Sequence, residues 1–235
     1  MTSREKAALD PRVIIARRCA LELRDGDVVN LGLGIPTLTA NYLPPGVDVI
    51  FHTENGCFGF GPKPQTLDAD SDVTNAGGEP ITLLPGASIM DLTTSLGAMR
   101  NGYIGTSILG ALEVDQEGNL ANWATERKGR WWPGIGGAMD LCYGVPRIIA
   151  ALQHVDKYGG SKVRRRTTLP LTGKRCTKVI VTEKAVFDVV PGGLVLREAF
   201  PGLSVDDIRA ITEAEFEVSP AFRPMQLEST ATQGG

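Results

Sequence analysis

The chain has 235 residues, of which 42% are hydrophobic and 22% charged, and its formal net charge is −3. This is the composition of an ordinary soluble globular protein, and the length accommodates one well-packed domain. The slightly acidic balance, without a basic stripe interleaved with aromatic residues, gives no reason to expect a nucleic-acid partner.

The four cysteines stand far apart without a Cys-x-x-Cys pair, and the chain has two histidines. This pattern predicts neither structural zinc nor a disulfide framework, and it indicates reduced thiols in a cytoplasm. No apolar run approaches the roughly 20 residues of a membrane span. The first ten residues lack the apolar centre of a signal peptide. We therefore expect a cytoplasmic protein that contacts no membrane and holds no metal.

In chain order, residues 1–9 are interpreted as a flexible tail. Asp10 and Pro11 predict a helix start, because they supply a capping acceptor and a proline at the first helical position. Apolar residues then recur at three- and four-residue spacing, and Gly26 is the predicted stop. A short buried strand is predicted over residues 28–31.

Two glycines, Gly32 and Gly34, follow this strand, and Pro36 opens a predicted helix over residues 37–42. Backbone N–H groups at such a helix start can cradle a phosphate or a carboxylate. A tight turn without a ligand explains the pattern equally well. The dinucleotide-binding fingerprint is not met, because its third glycine and its later acidic residue are missing.

Residues 47–53 alternate in polarity and predict a strand, which ends at Glu54-Asn55-Gly56. Functional groups of open α/β sheets collect beyond the carboxyl ends of strands. Glu54 is therefore predicted as a carboxylate at a strand tip, beside a glycine-rich loop (56–61) whose backbone can approach a ligand closely. Taken alone, Glu-Asn-Gly is more often a surface turn with an incidental glutamate.

The other predicted elements, in chain order, are a proline- and aspartate-rich loop (62–72), a strand (81–84), a turn at Pro85-Gly86, a helix capped by Ser88 with Asp91 in the capping-box position (88–99), a strand (106–114), a hairpin-type turn (115–118), two strands (147–152 and 178–182), a hairpin around Pro191-Gly192-Gly193 (185–190 and 194–197), and a helix capped by Ser204 with Asp207 (204–216). Strands that alternate with helices predict an α/β fold, an open and mostly parallel sheet flanked by helices with antiparallel additions. One domain is predicted over residues 10–217, followed by a disordered tail over 218–235.

Side chains other than Glu54 fit nucleophilic or acid–base chemistry poorly. His52 alternates away from Thr53, and His154 lies in or after a buried strand, so neither is placed as a base. Cys57 has no base or cationic neighbour to lower its pKa and is interpreted as a packing residue. Asp140 is predicted early in the helix after a second glycine cluster, where the helix dipole favours a carboxylate.

A lone glutamate among glycine turns suits one chemistry. A glutamate is ionised at neutral pH, so Glu54 is a nucleophile without a base. Attack on an acyl thioester gives a mixed anhydride and a thiolate, and the thiolate can return to leave an enzyme-bound thioester. Backbone N–H groups of glycine turns would stabilise the tetrahedral oxyanions, each by about 3–4 kcal/mol.

Seven segments together resemble the B (beta) subunit of 3-oxoacid coenzyme A transferases, in the same order over roughly residues 10–216. They are Asn-Leu-Gly-Leu-Gly-Ile-Pro-Thr (30–37), Thr-Glu-Asn-Gly (53–56), Asn-Ala-Gly (75–77), Leu-Pro-Gly-Ala-Ser (84–88), Gly-Asn-Leu-Ala-Asn-Trp (118–123), Gly-Gly-Ala-Met-Asp-Leu (136–141) and Thr-Leu-Pro-Leu-Thr-Gly (168–173). A resemblance spread over seven segments is far more specific than a single motif.

The resemblance implies a CoA-transferase fold and a covalent CoA thioester on Glu54. The expected reaction moves CoA from a donor such as succinyl-CoA to a 3-oxoacid-type acid. Coenzyme A is then a co-substrate, no cofactor is permanently bound, and an A (alpha) subunit completes a heterotetramer. The other expected site residues are Gly136, Gly137 and Ala138 as oxyanion and CoA contacts, with Gly32, Gly34 and Asn55 shaping the site. An acyl-CoA thioester hydrolase that uses the same glutamate, and a non-catalytic scaffold subunit, remain alternatives.

The chain departs from this family at several positions. Trp131 and Trp132 replace a lysine-containing segment, and they either belong to the core or a subunit interface or reshape the acyl pocket for a bulkier acid. Thr53 stands where serine is usual, and Phe58 and Phe60 replace smaller aliphatic residues. These departures leave the nucleophile in place and leave the identity of the acid open.

Overall fold

The computed structural model describes residues 10–61, 64 and 70–228. The strands are β1 (Val28–Leu31), β2 (Ile50–Thr53), β3 (Cys57–Phe60), β4 (Leu83–Ile89), β5 (Thr106–Gly110), β6 (Glu113–Asp115), β7 (Leu120–Ala121), β8 (Ala124–Arg127), β9 (Arg130–Pro133), β10 (Arg147–Ala151), β11 (Val163–Arg164), β12 (Thr177–Val181), β13 (Ala185–Val190), β14 (Gly193–Ala199) and β15 (Phe216–Pro224). The α-helices are α1 (Pro11–Ala20), α2 (Leu92–Arg100), α3 (Ala138–Gly144) and α4 (Val205–Ile211), and a 3₁₀ helix spans Pro36–Tyr42. None of these helices is long and apolar enough to cross a bilayer.

Ten strands form one sheet in the order β15-β14-β13-β12-β10-β5-β1-β2-β3-β4. The five central strands, from β12 to β2, are mutually parallel. Antiparallel strands extend the sheet on both sides, β13 and β14 on one and β3 and β4 on the other. The predicted α/β fold, mostly parallel with antiparallel additions, is confirmed.

The sheet has a buried apolar layer on each face. Along β10, Ile148 and Ala150 belong to the cluster that also contains residues of α2, α3 and α4. Ile149 and Ala151 belong to the second cluster, with residues of α1. Because successive side chains of a strand point to opposite faces, the continuous apolar run of this strand supplies both layers.

Two predicted caps are confirmed. The Asp10 carboxylate accepts a hydrogen bond from Arg12 N at 2.9 Å, with Pro11 at the first position of α1. Ser204 and Asp207 form a reciprocal capping box at the start of α4. Both helices end earlier than predicted, α1 before Gly26 and α4 at Ile211. Gly26, with φ of +80°, lies in a later turn.

The boundaries around α2 were predicted wrongly. The helix begins at Leu92 and is capped by Asp91, whose carboxylate accepts from Thr94 N at 3.0 Å and from Thr94 Oγ1 at 2.7 Å. Ser88 instead pairs with Phe58 in the β3–β4 ladder. The predicted turn at Pro85-Gly86 lies inside β4, which tolerates proline because it is an edge strand of the large sheet.

The segment after Glu54 was predicted as a glycine-rich loop, but most of it is β3, which pairs antiparallel with β2. Glu54-Asn55-Gly56 is therefore the turn of a hairpin. Gly59 has φ of +80° and lies where the register of the β3–β4 ladder shifts. A glycine inside a strand is typical of such a bulge, and the alternation of apolar residues does not reveal it.

Other differences concern short strands. The predicted strand over 106–114 divides into β5, in the large sheet, and β6, in a small sheet with β7 and β11. The β8–β9 hairpin was not predicted. Part of the predicted tail is β15, which pairs with β14. The predicted tails at 1–9 and 229–235, and most of the predicted loop over 62–72, lie outside the described residues.

His154 connects three elements in the interior. Its Nδ1 lies 3.0 Å from Thr182 Oγ1, and its Nε2 lies 2.9 Å from Thr212 Oγ1. Burial, together with the nearby Lys184, lowers the pKa of His154 to about 4. The imidazole is therefore neutral in the folded protein at pH 7, whereas an unfolded chain protonates it near pH 6.5.

This shift predicts a pH-dependent loss of stability. Because the folded pKa lies below the unfolded pKa, the contribution is fully present above pH 6.5 and is lost as the pH falls towards 4. Between pH 7 and pH 5 the wild type should lose about 2 kcal/mol more unfolding free energy than His154→Gln. Denaturant titrations at both pH values measure the difference. Equal losses of unfolding free energy in the wild type and in His154→Gln would contradict the lowered pKa of His154.

Candidate functional site

A cavity of about 510 Å³ opens at the carboxyl ends of the central strands. Its wall includes residues that follow β1, β2, β5 and β10, namely Gly32, Glu54, Ala111 and Leu152. The chain runs from β1 to β2 on one side, and β5 leads to β10 on the other, so the strand order reverses between β1 and β5. Ligands of open α/β sheets bind at such a reversal.

Glu54 is held at both of its ends. Its carboxylate Oε1 accepts a hydrogen bond from Gly137 N at 2.9 Å. Its backbone carbonyl accepts one from Ser95 Oγ at 2.8 Å. The side chain is half-buried and lines the cavity. The strand-tip position predicted for this carboxylate is confirmed.

The glycine cluster before α3 is shaped around Glu54. A Cβ at Gly136, whose φ is +50°, would lie 2.8 Å from Glu54 Oε1. A Cβ at Gly137 would lie 3.2 Å from Glu54 Cδ. Gly137 is the N-cap of α3, where backbone N–H groups have no partner within the helix. Ala138 is buried and lines the cavity.

Asn55 lies on the outer side of the turn and is exposed. Its Oδ1 accepts from Thr53 Oγ1 at 2.8 Å, and its Nδ2 donates to Thr74 O at 2.8 Å. Thr53 Oγ1 in turn accepts from Ala76 N at 2.9 Å. Asn55 thereby ties the turn of Glu54 to a segment that lines the cavity.

Gly32 and Gly34 differ in their surroundings. Gly32 lines the cavity, but its N–H donates to Ile108 O at 2.9 Å and is not free for a ligand. A Cβ there would lie 3.2 Å from the same oxygen, so the glycine allows close packing on β5. Gly34 has φ of +93° and supplies a turn. The following segment is the 3₁₀ helix rather than an α-helix, which leaves the phosphate-cradle prediction without its expected geometry.

Three side chains that the sequence gives no role as nucleophile or base are buried or paired in the structure, and Cys57 and Asp140 lie where they were predicted. His52 is buried, and burial lowers its pKa to about 4, so it is neutral. Cys57 is buried in the apolar layer on the α1 side, and burial raises the pKa of its thiol. Asp140 lies in the first turn of α3 and pairs with Arg100 Nε at 2.5 Å.

Lys162 is a cavity residue that sequence reasoning missed. It lies beside Gln153 in the cavity wall, and its backbone N–H donates to His154 O. Its ammonium forms no salt bridge with any residue of the described ranges, and burial lowers its pKa. From sequence, the short basic run from Lys162 to Arg166 is interpreted as a solvated strand or loop, with contact to an anionic ligand as the alternative. The sequence of these five residues does not show which basic side chain faces the cavity. In the structure, Arg164 pairs with Glu113 and Glu213.

Trp131 and Trp132 lie on β9 and are 53% and 61% exposed. They are therefore not core residues, and neither lines the cavity formed by the described residues. Met139 and Tyr143 of α3, close in sequence, are also exposed. Among the described residues, no group of three or more His, Cys, Asp or Glu side chains could hold a metal ion.

Comparison with known proteins agrees with this geometry. The Coenzyme A transferase family profile matches residues 12–210. The chain is 46% identical over 211 residues to the acetate CoA-transferase subunit beta of Escherichia coli (strain K12), covering 90% of this chain and 95% of that protein. It is 45% identical over 219 residues to the mitochondrial succinyl-CoA:3-ketoacid coenzyme A transferase 2 of Homo sapiens, covering 92% of this chain and 42% of that protein.

A solved structure shows the same fold. The acyl-CoA transferase apoenzyme from Escherichia coli O157:H7 superposes with a TM-score of 0.72 at 24% identity, covering 94% of this chain and 45% of that one. The chain thus spans less than half of some longer transferases and nearly all of a bacterial beta subunit. On the family match and the identities, the chain belongs to the coenzyme A transferase family.

Proposed function

We propose that this chain is the B subunit of a CoA-transferase and supplies Glu54 as the nucleophile. The observation that carries the proposal is the Glu54 carboxylate itself. It stands in a cavity at the strand-order reversal, bonded to a backbone N–H and bordered by two glycines that leave it room.

In each step of the proposed reaction one anion attacks a carbonyl group and another anion leaves it. The Glu54 carboxylate attacks the thioester carbonyl, the C–S bond breaks, and a mixed anhydride and the CoA thiolate form. The thiolate then attacks the glutamyl carbonyl and releases the first acid, which leaves CoA on Glu54. The acceptor carboxylate reverses both steps. No step needs a base, which fits a cavity that neither histidine lines.

The Gly137 N–H has two uses in this scheme. In the resting state it orients the carboxylate, and during thiolate attack it can donate to the oxyanion that develops on the same group. A fixed donor of this kind is worth about 3–4 kcal/mol in comparable sites. Because it belongs to the backbone, it needs no rearrangement when the charge appears.

The cavity suits a small acid with a polar end. The end of β10, beside which Lys162 lies, is separated from the end of β2 by three strand spacings, roughly 14 Å. Glu54 and Lys162 therefore lie on opposite sides of the cavity wall. This favours a donor and an acceptor of the succinate and 3-oxoacid kind, which bear a second polar group.

A second subunit should complete the site. The human relative is more than twice as long as the segment it shares with this chain. Trp131, Trp132, Met139 and Tyr143 place exposed apolar surface within a few residues of Gly136 and Gly137. We infer that an A (alpha) subunit covers this surface in a heterotetramer. All four cysteines are unpaired, which fits a cytoplasmic location.

Replacing the nucleophile should abolish transfer. Glu54→Gln should lower kcat by at least about 1000-fold, because the amide cannot attack a thioester. Its melting temperature should stay close to that of wild type, since the side chain is only half-buried. The matched control is Glu217→Gln, which neutralises an exposed carboxylate on β15 and should keep kcat at the wild-type value. Near wild-type turnover by Glu54→Gln, with deamidation excluded by mass spectrometry, would refute the mechanism.

The same role predicts a trapped intermediate. The enzyme incubated with acyl-CoA but without acceptor acid should carry CoA on the peptide that contains residues 51–56, and borohydride should reduce that glutamate. Label on Cys57 would redirect the mechanism to thiol chemistry. Rapid release of free CoA and acid without an acceptor would instead favour the hydrolase.

Adding a methyl group beside the nucleophile should slow the reaction. Gly136→Ala places a Cβ 2.8 Å from Glu54 Oε1 and should lower kcat about 100-fold. Gly202→Ala is the control, because φ there is also positive (+99°) but nothing lies within 4 Å of the new Cβ. Both variants should lose about 1–2 kcal/mol of stability from the strained backbone. Equal kcat values for Gly136→Ala and Gly202→Ala would show that the contact of the new methyl group with Glu54 does not affect the reaction.

The isolated chain should show no measurable transfer. One face of one domain does not exclude water around the anhydride and thioester intermediates. Light scattering should show self-association through the exposed tryptophans, and activity should appear only when the A subunit is added. Full activity from chain demonstrated to be free of partner would contradict the two-subunit site.

A further inference from the structure

Four buried polar side chains form a continuous hydrogen-bonded chain that ends on the backbone of Glu54. Ser107 Oγ on β5 lies 3.1 Å from Asn30 Oδ1 on β1. Asn30 Nδ2 lies 3.2 Å from His52 Nδ1 on β2, and His52 Nε2 lies 2.9 Å from Ser95 Oγ on α2. Ser95 Oγ lies 2.8 Å from Glu54 O. All four side chains are 0% exposed.

One arrangement of protons satisfies the whole chain. The Glu54 carbonyl can only accept, so the Ser95 hydroxyl donates to it and must accept from His52 Nε2–H. His52 then carries its proton on Nε2, and its bare Nδ1 accepts from the Asn30 amide. The Asn30 carbonyl accepts from Ser107. Every donor points towards Glu54, and the bonds of such a chain polarise one another.

The fold alone does not require this hydrogen-bonded chain of side chains. Central strands of a parallel sheet are ordinarily apolar on both faces, and burying polar groups costs free energy unless they are paired. Here one polar residue from each of three adjacent strands is buried in line. The His52 ring also packs against Phe58 with centroids 4.3 Å apart, which fixes its orientation. This hydrogen-bonded chain leads to the turn that bears the candidate nucleophile.

We propose that Ser95 and His52 are positioning residues that aim the Glu54 carboxylate by holding its backbone carbonyl. This inference rests on the proposed role of Glu54 as the nucleophile. The Gly137 N–H fixes one end of the residue and the Ser95 hydroxyl fixes the other. Without the Ser95 bond the Glu54 carbonyl loses its donor, and the peptide group after Glu54 can tilt within the turn that Gly56 N and Thr53 O close. The carboxylate then moves out of line with the thioester.

The test uses the complete two-subunit enzyme and succinyl-CoA. Ser95→Ala should lower kcat, and the single-turnover rate of glutamyl-CoA formation, by roughly 10- to 100-fold. Its KM for succinyl-CoA should change little, because the acyl-CoA contacts are untouched. Ser204→Ala is the matched control: it removes the cap of α4, should lower the melting temperature, and should keep kcat at the wild-type value.

A pair of substitutions at His52 tests the role of the hydrogen-bonded chain, whether or not Ser95→Ala folds. His52→Gln keeps an N–H donor that can reach Ser95 and should retain most of the rate, whereas His52→Leu has no donor and should match Ser95→Ala. Wild-type kcat in Ser95→Ala, or equal kcat in the two His52 variants, would overturn the positioning role. Neither result would contradict the proposal that Glu54 is the nucleophile, which fails only if Glu54→Gln remains active.

Discussion

The hydrogen bond from Gly137 N to Glu54 Oε1 is the contact on which the rest of the site depends. It joins the turn after β2 to the start of α3, two segments 83 residues apart in the chain. For the bond to form, the parallel sheet must bring both segments to one edge, and residues 136 and 137 must lack side chains. Sheet topology, glycine placement and the position of α3 are thus requirements of a single contact.

The structure supports this contact from several directions, mainly with backbone groups and buried polar side chains. Gly56 lies so close to Met90 that a Cβ would overlap the Met90 carbonyl oxygen, which fixes the hairpin turn against the segment between β4 and α2. Asn55 and Thr53 tie the outside of the turn to residues 74–76. Within the part of the chain that the structure describes, a backbone N–H and a hydroxyl, rather than ionisable side chains, bond to Glu54, the proposed nucleophile.

Much of this arrangement could be predicted from sequence, because local patterns report local structure. The strand tip at Glu54, the capping box of α4 and the α/β class all follow from short-range periodicity and cap chemistry. The β3 strand and the start of α2 could not be predicted, because long-range pairing with β2 and β4 overrides the turn signals of Gly59 and Pro85. The inward direction of Lys162 and the alignment of Asn30, His52 and Ser107 depend on strand register, which a single sequence does not show.

The origin of the cavity wall has a consequence for evolution. The Gly137 N–H is present whatever the neighbouring side chains are, whereas Lys162, Gln153 and Asn122 come from other parts of the chain. Neither Lys162 nor Gln153 bonds to Glu54 or to Gly137 in the described part of the chain, so substitutions at these two positions should change the shape and charge of the cavity wall and leave the proposed nucleophile and its donor in place. Selection for a new acid can therefore act on these wall residues while the contact between Glu54 and Gly137 is kept. Within such a family, specificity diverges sooner than chemistry.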